Sequence, residues 1–250
     1  MLELNNITVV FNQDTQLENT VLKNINIKVN DGEFVTVIGG NGAGKSTLMN
    51  VIAGDVPPNS GQIIIDGSDV TKLSTEKRAH SVARIFQDPM LGTFSALTIE
   101  ENLSIAYKRG QGRSFGRALN TSLREKFRTI VAELDIGLEN RFTDKVALLS
   151  GGQRQALSLL MATQQESKIL LLDEHTAALD PKIAKTILEI TNNIIAKNKL
   201  TVLMITHSMH QALAYGSRTI MLYHGEVIRD MQGKQRTELS PADLLEFFDL

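Results

Sequence analysis

The sequence predicts an α/β fold with a mainly parallel sheet, and three observations predict it. Short β-branched apolar runs alternate with stretches of helical periodicity along most of the 250 residues. One run, Ile169-Leu170-Leu171-Leu172, is apolar throughout, as a strand covered on both faces must be. Gly39-Gly40-Asn41-Gly42-Ala43-Gly44-Lys45-Ser46-Thr47 lies between the strand-like run Phe34–Ile38 and a helical stretch carrying Leu48, Val51 and Ile52.

The elements follow in order. Ile7–Phe11 reads as a strand and Asn12 to Asn19 as a polar loop. Ile25, Ile27 and Val29 alternate with polar residues up to the turn Asn30-Asp31-Gly32, the pattern of a half-buried strand. Phe11 suits either a core position or an aromatic platform for a base, and its neighbours do not decide between them. The helix after the glycine stretch ends at Gly54, and Gln62–Ile65 forms a strand turned by Asp66-Gly67. A helix over Thr75 to His80 and a strand over Val82–Phe86 come next, closed by Gln87-Asp88-Pro89.

From 88 to 148 the β-branched runs stop. Thr98-Ile99-Glu100-Glu101 and Ser122-Leu123-Arg124-Glu125 both have capping-box spacing, and Phe127, Ile130, Val131 and Leu134 make a helical apolar stripe. Lys108, Arg109, Arg113, Arg117 and Arg124 sit among Gly and Ser; thin aromatic interleaving favours a solvated loop there over a nucleic-acid or lipid-headgroup patch. Leu149-Ser150-Gly151-Gly152-Gln153 opens a helix bearing Leu157, Leu160 and Met161. After Ile169–Leu172 come Asp173-Glu174. Asp180-Pro181 then starts a helix through Ile183, Ile187, Ile190 and Ile194. Leu200–Thr206 is a buried strand ending at His207, Arg218–Arg229 a hairpin turned at His224-Gly225, and Ser240-Pro241 the start of a closing helix through Leu244, Leu245 and Phe248.

Composition narrows the function. The chain is 42% hydrophobic and 22% charged with net charge −2, so nothing electrostatic points to nucleic acid. It has no cysteine, which excludes disulfides, thiolate catalysis and cysteine-based zinc sites. The first residues lack the basic flank and apolar stretch of a signal peptide, and no apolar run approaches the ~20 residues of a membrane span. The expectation is a soluble chain whose membrane role, if any, requires a partner.

The chemistry concentrates at predicted strand ends, where open α/β sheets gather ligands. Gly39, Gln87, Asp173 and His207 each fall just past a strand. The glycines let backbone N–H groups converge on phosphate oxygens at a helix N-terminus, Lys45 reaches the outer phosphates and the Ser46 hydroxyl ligates Mg²⁺. A Gly-rich turn can be only a turn, but a chance match in a chain of ordinary composition is on the order of one in a hundred. Asp173 suits a carboxylate that holds Mg²⁺, Glu174 a base that orients and deprotonates water, and His207 a contact to the γ-phosphate.

Taken together, these motifs resemble the ATP-binding subunit of an ABC transporter over nearly the whole chain. Walker A (Gly39–Thr47), the Q-loop (Gln87), the signature Leu149–Gln153, Walker B (Ile169–Glu174) and the switch His207 occur in the family's order, and Ala178-Leu179-Asp180 matches the D-loop. The resemblance implies a P-loop NTPase core with an N-terminal antiparallel β subdomain and an inserted helical subdomain. Residues 1–87 and 155–250 would form the core and 88–154 the helical part. It implies that Phe11 stacks on adenine, that Gly39, Gly40, Asn41, Gly42, Ala43, Gly44, Lys45, Ser46, Thr47 and Gln87 bind Mg²⁺ATP, and that Ser46, Gln87 and Asp173 face the metal. It further implies a head-to-tail dimer in which Ser150, Gly151, Gly152 and Gln153 cover the partner's nucleotide. Glu174, His207 and Lys45 would be catalytic. The implied assembly has a separate membrane permease, an extracytoplasmic substrate-binding protein and no nucleic acid, with this chain on the cytoplasmic face of the membrane. Import is favoured, since exporters often fuse the ATPase to the membrane domain, and Asp173-Glu174-His175-Thr176 resembles partners of amino-acid-type permeases. The competing expectation is a soluble ABC ATPase acting on nucleic acid or ribosomes. His175 departs from the family, which usually has proline there, as do Ala156 and Met161, where many members carry arginines.

Overall fold

The structure is a computed structural model describing residues 1–109 and 119–247. Its strands are β1 (Leu2–Phe11), β2 (Asn19–Val29), β3 (Phe34–Gly39), β4 (Ser60–Ile65), β5 (Ser68–Asp69), β6 (Val82–Ile85), β7 (Ile169–Asp173), β8 (Val202–Ile205), β9 (Arg218–Tyr223) and β10 (Glu226–Gln232). Its helices are α1 (Lys45–Ala53), α2 (Thr75–Arg78), α3 (Ile99–Tyr107), α4 (Thr121–Ala132), α5 (Gly151–Thr163), α6 (Pro181–Asn198), α7 (Met209–Ala214), α8 (Lys234–Thr237) and α9 (Pro241–Glu246). Packing divides them into two units, one of Met1–Ala83, Lys168–Glu174 and Lys199–Leu250, the other of Arg84–Ser167 and His175–Asn198.

The first unit holds two sheets. An antiparallel sheet runs β2-β1-β4-β5, and a six-stranded sheet runs β10-β9-β3-β8-β7-β6. β3 pairs parallel to both β8 and β9, and β7 parallel to β8, while β10 returns antiparallel on β9. Every residue of β3 is buried, which is why it carries no alternation. Leu48, Met49, Val51 and Ile52 of α1 share one apolar core with β1–β4 and β7–β9. The two turns read from sequence form as expected: Asp66-Gly67 and His224-Gly225 take positive φ at both positions, the conformation of tight hairpins.

Two arginines inside this unit replace what composition would call surface charge. Arg78 is 1% exposed and donates to the carbonyls of Val51, Ile52, Thr71 and Leu73. Arg236 donates to the carbonyls of Ala212, Leu213 and Tyr215 and to Thr219 Oγ1. Each thus satisfies carbonyls at a helix C-terminus, of α1 and α7 respectively, where backbone acceptors have no intrahelical partner.

The second unit is helical around a core of Ile99, Leu103, Phe127, Val131, Leu157, Leu160 and Ile187. Since α5 and α6 contribute to that core, packing groups them with the helices, whereas the sequence division placed 155–250 with the sheet. Thr98 forms the expected capping box with Glu101. The box expected at Ser122–Glu125 does not form: α4 starts earlier, and Asn120 accepts from Leu123 N at 2.8 Å. Asn caps as well as Ser and lies two residues earlier, leaving Ser122 inside the helix. The basic stretch is not all solvated loop either. Arg109 donates to Ala162 O and Ser167 Oγ, and Arg124 forms a forked ion pair with Glu100 at 2.8 and 2.9 Å. Arg113, Arg117 and Phe248 lie outside the described residues.

Removing the Arg78 guanidinium leaves several buried carbonyls unpaired, each worth on the order of 1–3 kcal/mol. Arg78→Met should therefore lower the melting temperature by on the order of 10 °C, while an exposed control such as Lys77→Met should leave it within error in the same thermal melt.

Candidate functional site

The parallel register sets the site. Val37, Ile205 and Asp173 are aligned across β3, β8 and β7, so the residues that follow them leave the same sheet edge. Those residues are Ile38-Gly39 and the glycine loop, Thr206-His207, and Glu174. A cleft of about 290 Å³ there is lined by Asn41, Gly42, Ala43, Gly44, Lys45, Ser46, Thr47, Glu174 and His207, with Asn19 and Val21 of β2. Gly44 takes φ 99°, and a Cβ there would stand 2.7 Å from Leu22 Cδ2 and 2.9 Å from Val21 O, so only glycine fits against β2.

Lys45 is the first residue of α1 and 6% exposed. Its ammonium donates to Gly39 O at 2.8 Å and Gly40 O at 3.0 Å. Burial pushes its pKa down, opposed by the negative charges of Glu174 and then Asp173. The loop is thus cross-linked through its own lysine. From the other side, Gly225 N in the β9–β10 turn donates to Ala43 O at 3.2 Å, and Lys23 N donates to Gly225 O at 2.8 Å. The hairpin that the sequence identified only as a hairpin therefore braces the glycine loop.

Glu174 adopts φ +47°, a left-handed conformation that costs a residue with a side chain about 1–2 kcal/mol. Its N–H donates to Ile205 O at 3.2 Å, and its Oε1 lies 2.6 Å from Nε2 of His207. The carboxylate is only 12% exposed and the imidazole 47% exposed. Phe11 is 39% exposed at the end of β1, paired with Asn19, which itself lines the cleft. Asn19 and Val21 are the lining residues that sequence reasoning missed. Their only signal was non-local, the pairing of Asn19 with Phe11.

The remaining predicted site residues belong to the second unit. Gln87 is exposed just past β6. Ser150 caps α5, its Oγ accepting from Gln153 N while Gln153 Oε1 accepts from Ser150 N, a closed capping box. Gln153 Nε2 also donates to Ile136 O at 3.1 Å, so this side chain fixes the turn. Ser150 and Gly151 are exposed, whereas Gly152 is buried, and a Cβ on it would stand 2.3 Å from Ile183 Cγ2.

His175 is 2% exposed, with Nε2 at 3.2 Å from Thr191 Oγ1. The Thr191 hydroxyl donates its single proton to Ile187 O at 2.7 Å. The imidazole must therefore donate from Nε2, which assigns its neutral tautomer. Burial pushes its pKa down to about 4 from 6.5.

Among the described residues there is no group of three or more His, Cys, Asp or Glu that would hold a metal unaided. Ser46, which lines the cleft, and Asp173, the last residue of β7, carry oxygens of the kind that could take Mg²⁺.

A strand-to-helix glycine loop holding a buried lysine, with a carboxylate and an imidazole at neighbouring strand ends, defines a P-loop ATPase. The family model described as ABC transporter matches residues 22–177, and the chain belongs to that family. The tyrosine transport ATP-binding protein of Clostridioides difficile is 42% identical over 249 residues, covering 100% of this chain and 99% of that protein. The thiamine import ATP-binding protein ThiQ of Shigella flexneri is 36% identical over 214 residues, 86% of each chain. Among solved structures, the ADP-bound cassette MJ1267 of an ABC transporter superposes with TM-score 0.82 at 25% identity, over 100% of this chain and 98% of that one. The dimeric post-hydrolysis state of MJ0796 bound to ADP and Pi gives 0.78 at 28% identity, over 93% and 98%. The chain is an ABC ATPase, as its motifs led one to expect.

A buried neutral histidine makes folding pH-dependent with a definite sign. Because the folded pKa lies below 6.5, the folded state binds fewer protons, so this contribution is whole above pH 6.5 and is lost as pH falls towards 4. The loss is on the order of 3 kcal/mol. His175→Gln should flatten the fall in melting temperature between pH 6.5 and 4 relative to the parent chain.

Proposed function

We propose that this chain is the ATP-hydrolysing subunit of an importer, driving amino-acid uptake through a separate membrane permease. The observation that carries the mechanism is the 2.6 Å contact between Glu174 and His207 on the cleft that also holds Lys45. ATP is the substrate. The glycine loop cradles its phosphates with backbone N–H groups at the N-terminus of α1, and Lys45 exchanges its contacts with Gly39 O and Gly40 O for phosphate oxygens. Phe11 supports the adenine. Ser46, Asp173 and Gln87 would hold Mg²⁺, which offsets charge on the phosphates. Glu174 takes the proton of the attacking water, and His207 holds that carboxylate and the γ-phosphate in line. An anionic base next to a triphosphate is repelled by it; the buried Lys45 charge offsets that repulsion.

Two copies would pair, as the dimeric state of MJ0796 suggests, and in this reading they do so head to tail. The exposed hydroxyl of Ser150 and the amides of Gly151 and Gly152, set by Gln153, would then close over the partner's γ-phosphate. Residues 88–154 act as the helical signature subdomain in this reading. Its surface supports docking to a permease at the cytoplasmic membrane face: Met90, Leu91, Phe94 and Ile105 are exposed apolar residues, and three of them line a cleft of about 380 Å³ with Phe86 and Arg84. Among the described residues no helix is long and apolar enough to cross a membrane, and in this reading a separate permease supplies the path. The amino-acid assignment rests on the full-length likeness to the tyrosine transport protein. An extracytoplasmic binding protein would deliver that substrate. A nucleic-acid or ribosome role is disfavoured by the near-neutral charge.

Glu174→Gln should bind ATP with unchanged affinity and release phosphate at least about a hundredfold more slowly, because the amide keeps the shape but accepts no proton. Retained turnover, measured beside nucleotide affinity, would remove Glu174 from its assigned role.

In the Glu174→Gln background, ATP should produce dimers on size-exclusion chromatography, and adding Ser150→Arg should abolish them while one ATP per monomer still binds. Persisting dimers would show that the signature does not act across subunits.

A further inference from the structure

We propose that His175 is a positioning residue for hydrolysis, holding the catalytic Glu174 in its left-handed backbone by anchoring the next residue to α6 through Thr191. The proposal rests on the reading of Glu174 given above. Glu174 at φ +47° is strained, and such a conformation persists only where its surroundings over-determine it. Behind it, the N–H to Ile205 O holds the backbone. At its side, His207 holds the carboxylate. Ahead of it, a buried chain runs from His175 Nε2–H to Thr191 Oγ1 and on to Ile187 O, at 3.2 and 2.7 Å.

The residue type matters here. A proline at 175 would stiffen the turn but push Glu174 towards extended backbone. A histidine leaves Glu174 free to be left-handed, and the stiffness must come from elsewhere. The bond to Thr191, sixteen residues along the chain and 2% exposed, provides it. The same segment is tied again at its far end, where Asp180 Oδ1 accepts from Lys182 N at 3.0 Å in the first turn of α6, and Leu179 N closes a turn on Thr176 O at 3.2 Å. The loop from 175 to 180 is therefore fastened to one helix at both ends.

The test is steady-state hydrolysis in the full chain. Thr191→Val keeps the shape and removes the acceptor; it should lower kcat by about tenfold with KM for ATP unchanged, because position and not binding is lost. His175→Leu should do the same, the double variant should be no slower than either single one, and His175→Gln, which retains a donor, should recover much of the rate. Thermal melts confirm that each variant is folded at the assay temperature. Parental kcat in Thr191→Val and His175→Leu overturns the proposal, as does a rise in KM with kcat intact, or a double variant whose losses multiply. Glu174→Gln run alongside separates the failures: if it is inactive while Thr191→Val is unaffected, only the positioning role falls, and if it still turns over, the assignment of Glu174 falls first.

Discussion

A lysine ammonium with 6% exposure is the constraint on which the site depends. Its charge cannot be buried alone, and an isolated buried ammonium would lose its proton. Four groups oppose that loss: the carbonyls of Gly39 and Gly40, and the carboxylates of Glu174 and Asp173. The carbonyls demand that the glycine loop curl over its own helix. The carboxylates demand that β7 end level with β3 across β8, which the register of Val37, Ile205 and Asp173 achieves. Sheet order, loop shape and acid placement are in this sense one electrostatic solution.

What could be read from sequence was whatever is local. The glycine loop, the apolar strand before Asp173, both tight hairpin turns and the Thr98 capping box each depend on a few adjacent residues, and the fold class and family follow from their order. What could not be read depends on residues far apart. Asn19 reads as loop because nothing nearby shows that it pairs with Phe11. Arg78 and Arg236 give no local signal of burial, because the carbonyls that accept from them come from other elements. Ser122-x-x-Glu125 has a cap's spacing, yet Asn120 starts the helix first, and spacing cannot rank two competent caps. His175 read only as a departure from proline, whereas its burial and its tie to Thr191 make it a buried donor.

The strain at Glu174 has its own logic. An extended residue after β7 would continue the strand and carry its side chain along the sheet edge. The left-handed turn instead breaks the strand at Asp173, and the carboxylate comes within 2.6 Å of an imidazole from the next strand end. The cost, about 1–2 kcal/mol, is small beside the several-kcal/mol penalty of leaving either the base or Lys45 unpartnered.

The buried arginines extend the same electrostatics along the helices. α1 presents its N-terminus to the cleft, and Arg78 covers carbonyls of its last turn, Val51 and Ile52. α5 presents Ser150 and Gly151 to solvent at its N-terminus, and Arg109, its own charge disfavoured by burial, donates to Ala162 O in its last turn. A helix macrodipole places partial positive charge at one end and partial negative at the other. A guanidinium at the negative end satisfies the orphan carbonyls, and neither helix carries an acidic side chain in its own first turn. Under the proposed function, a phosphate oxygen would meet the end of each helix that no arginine occupies.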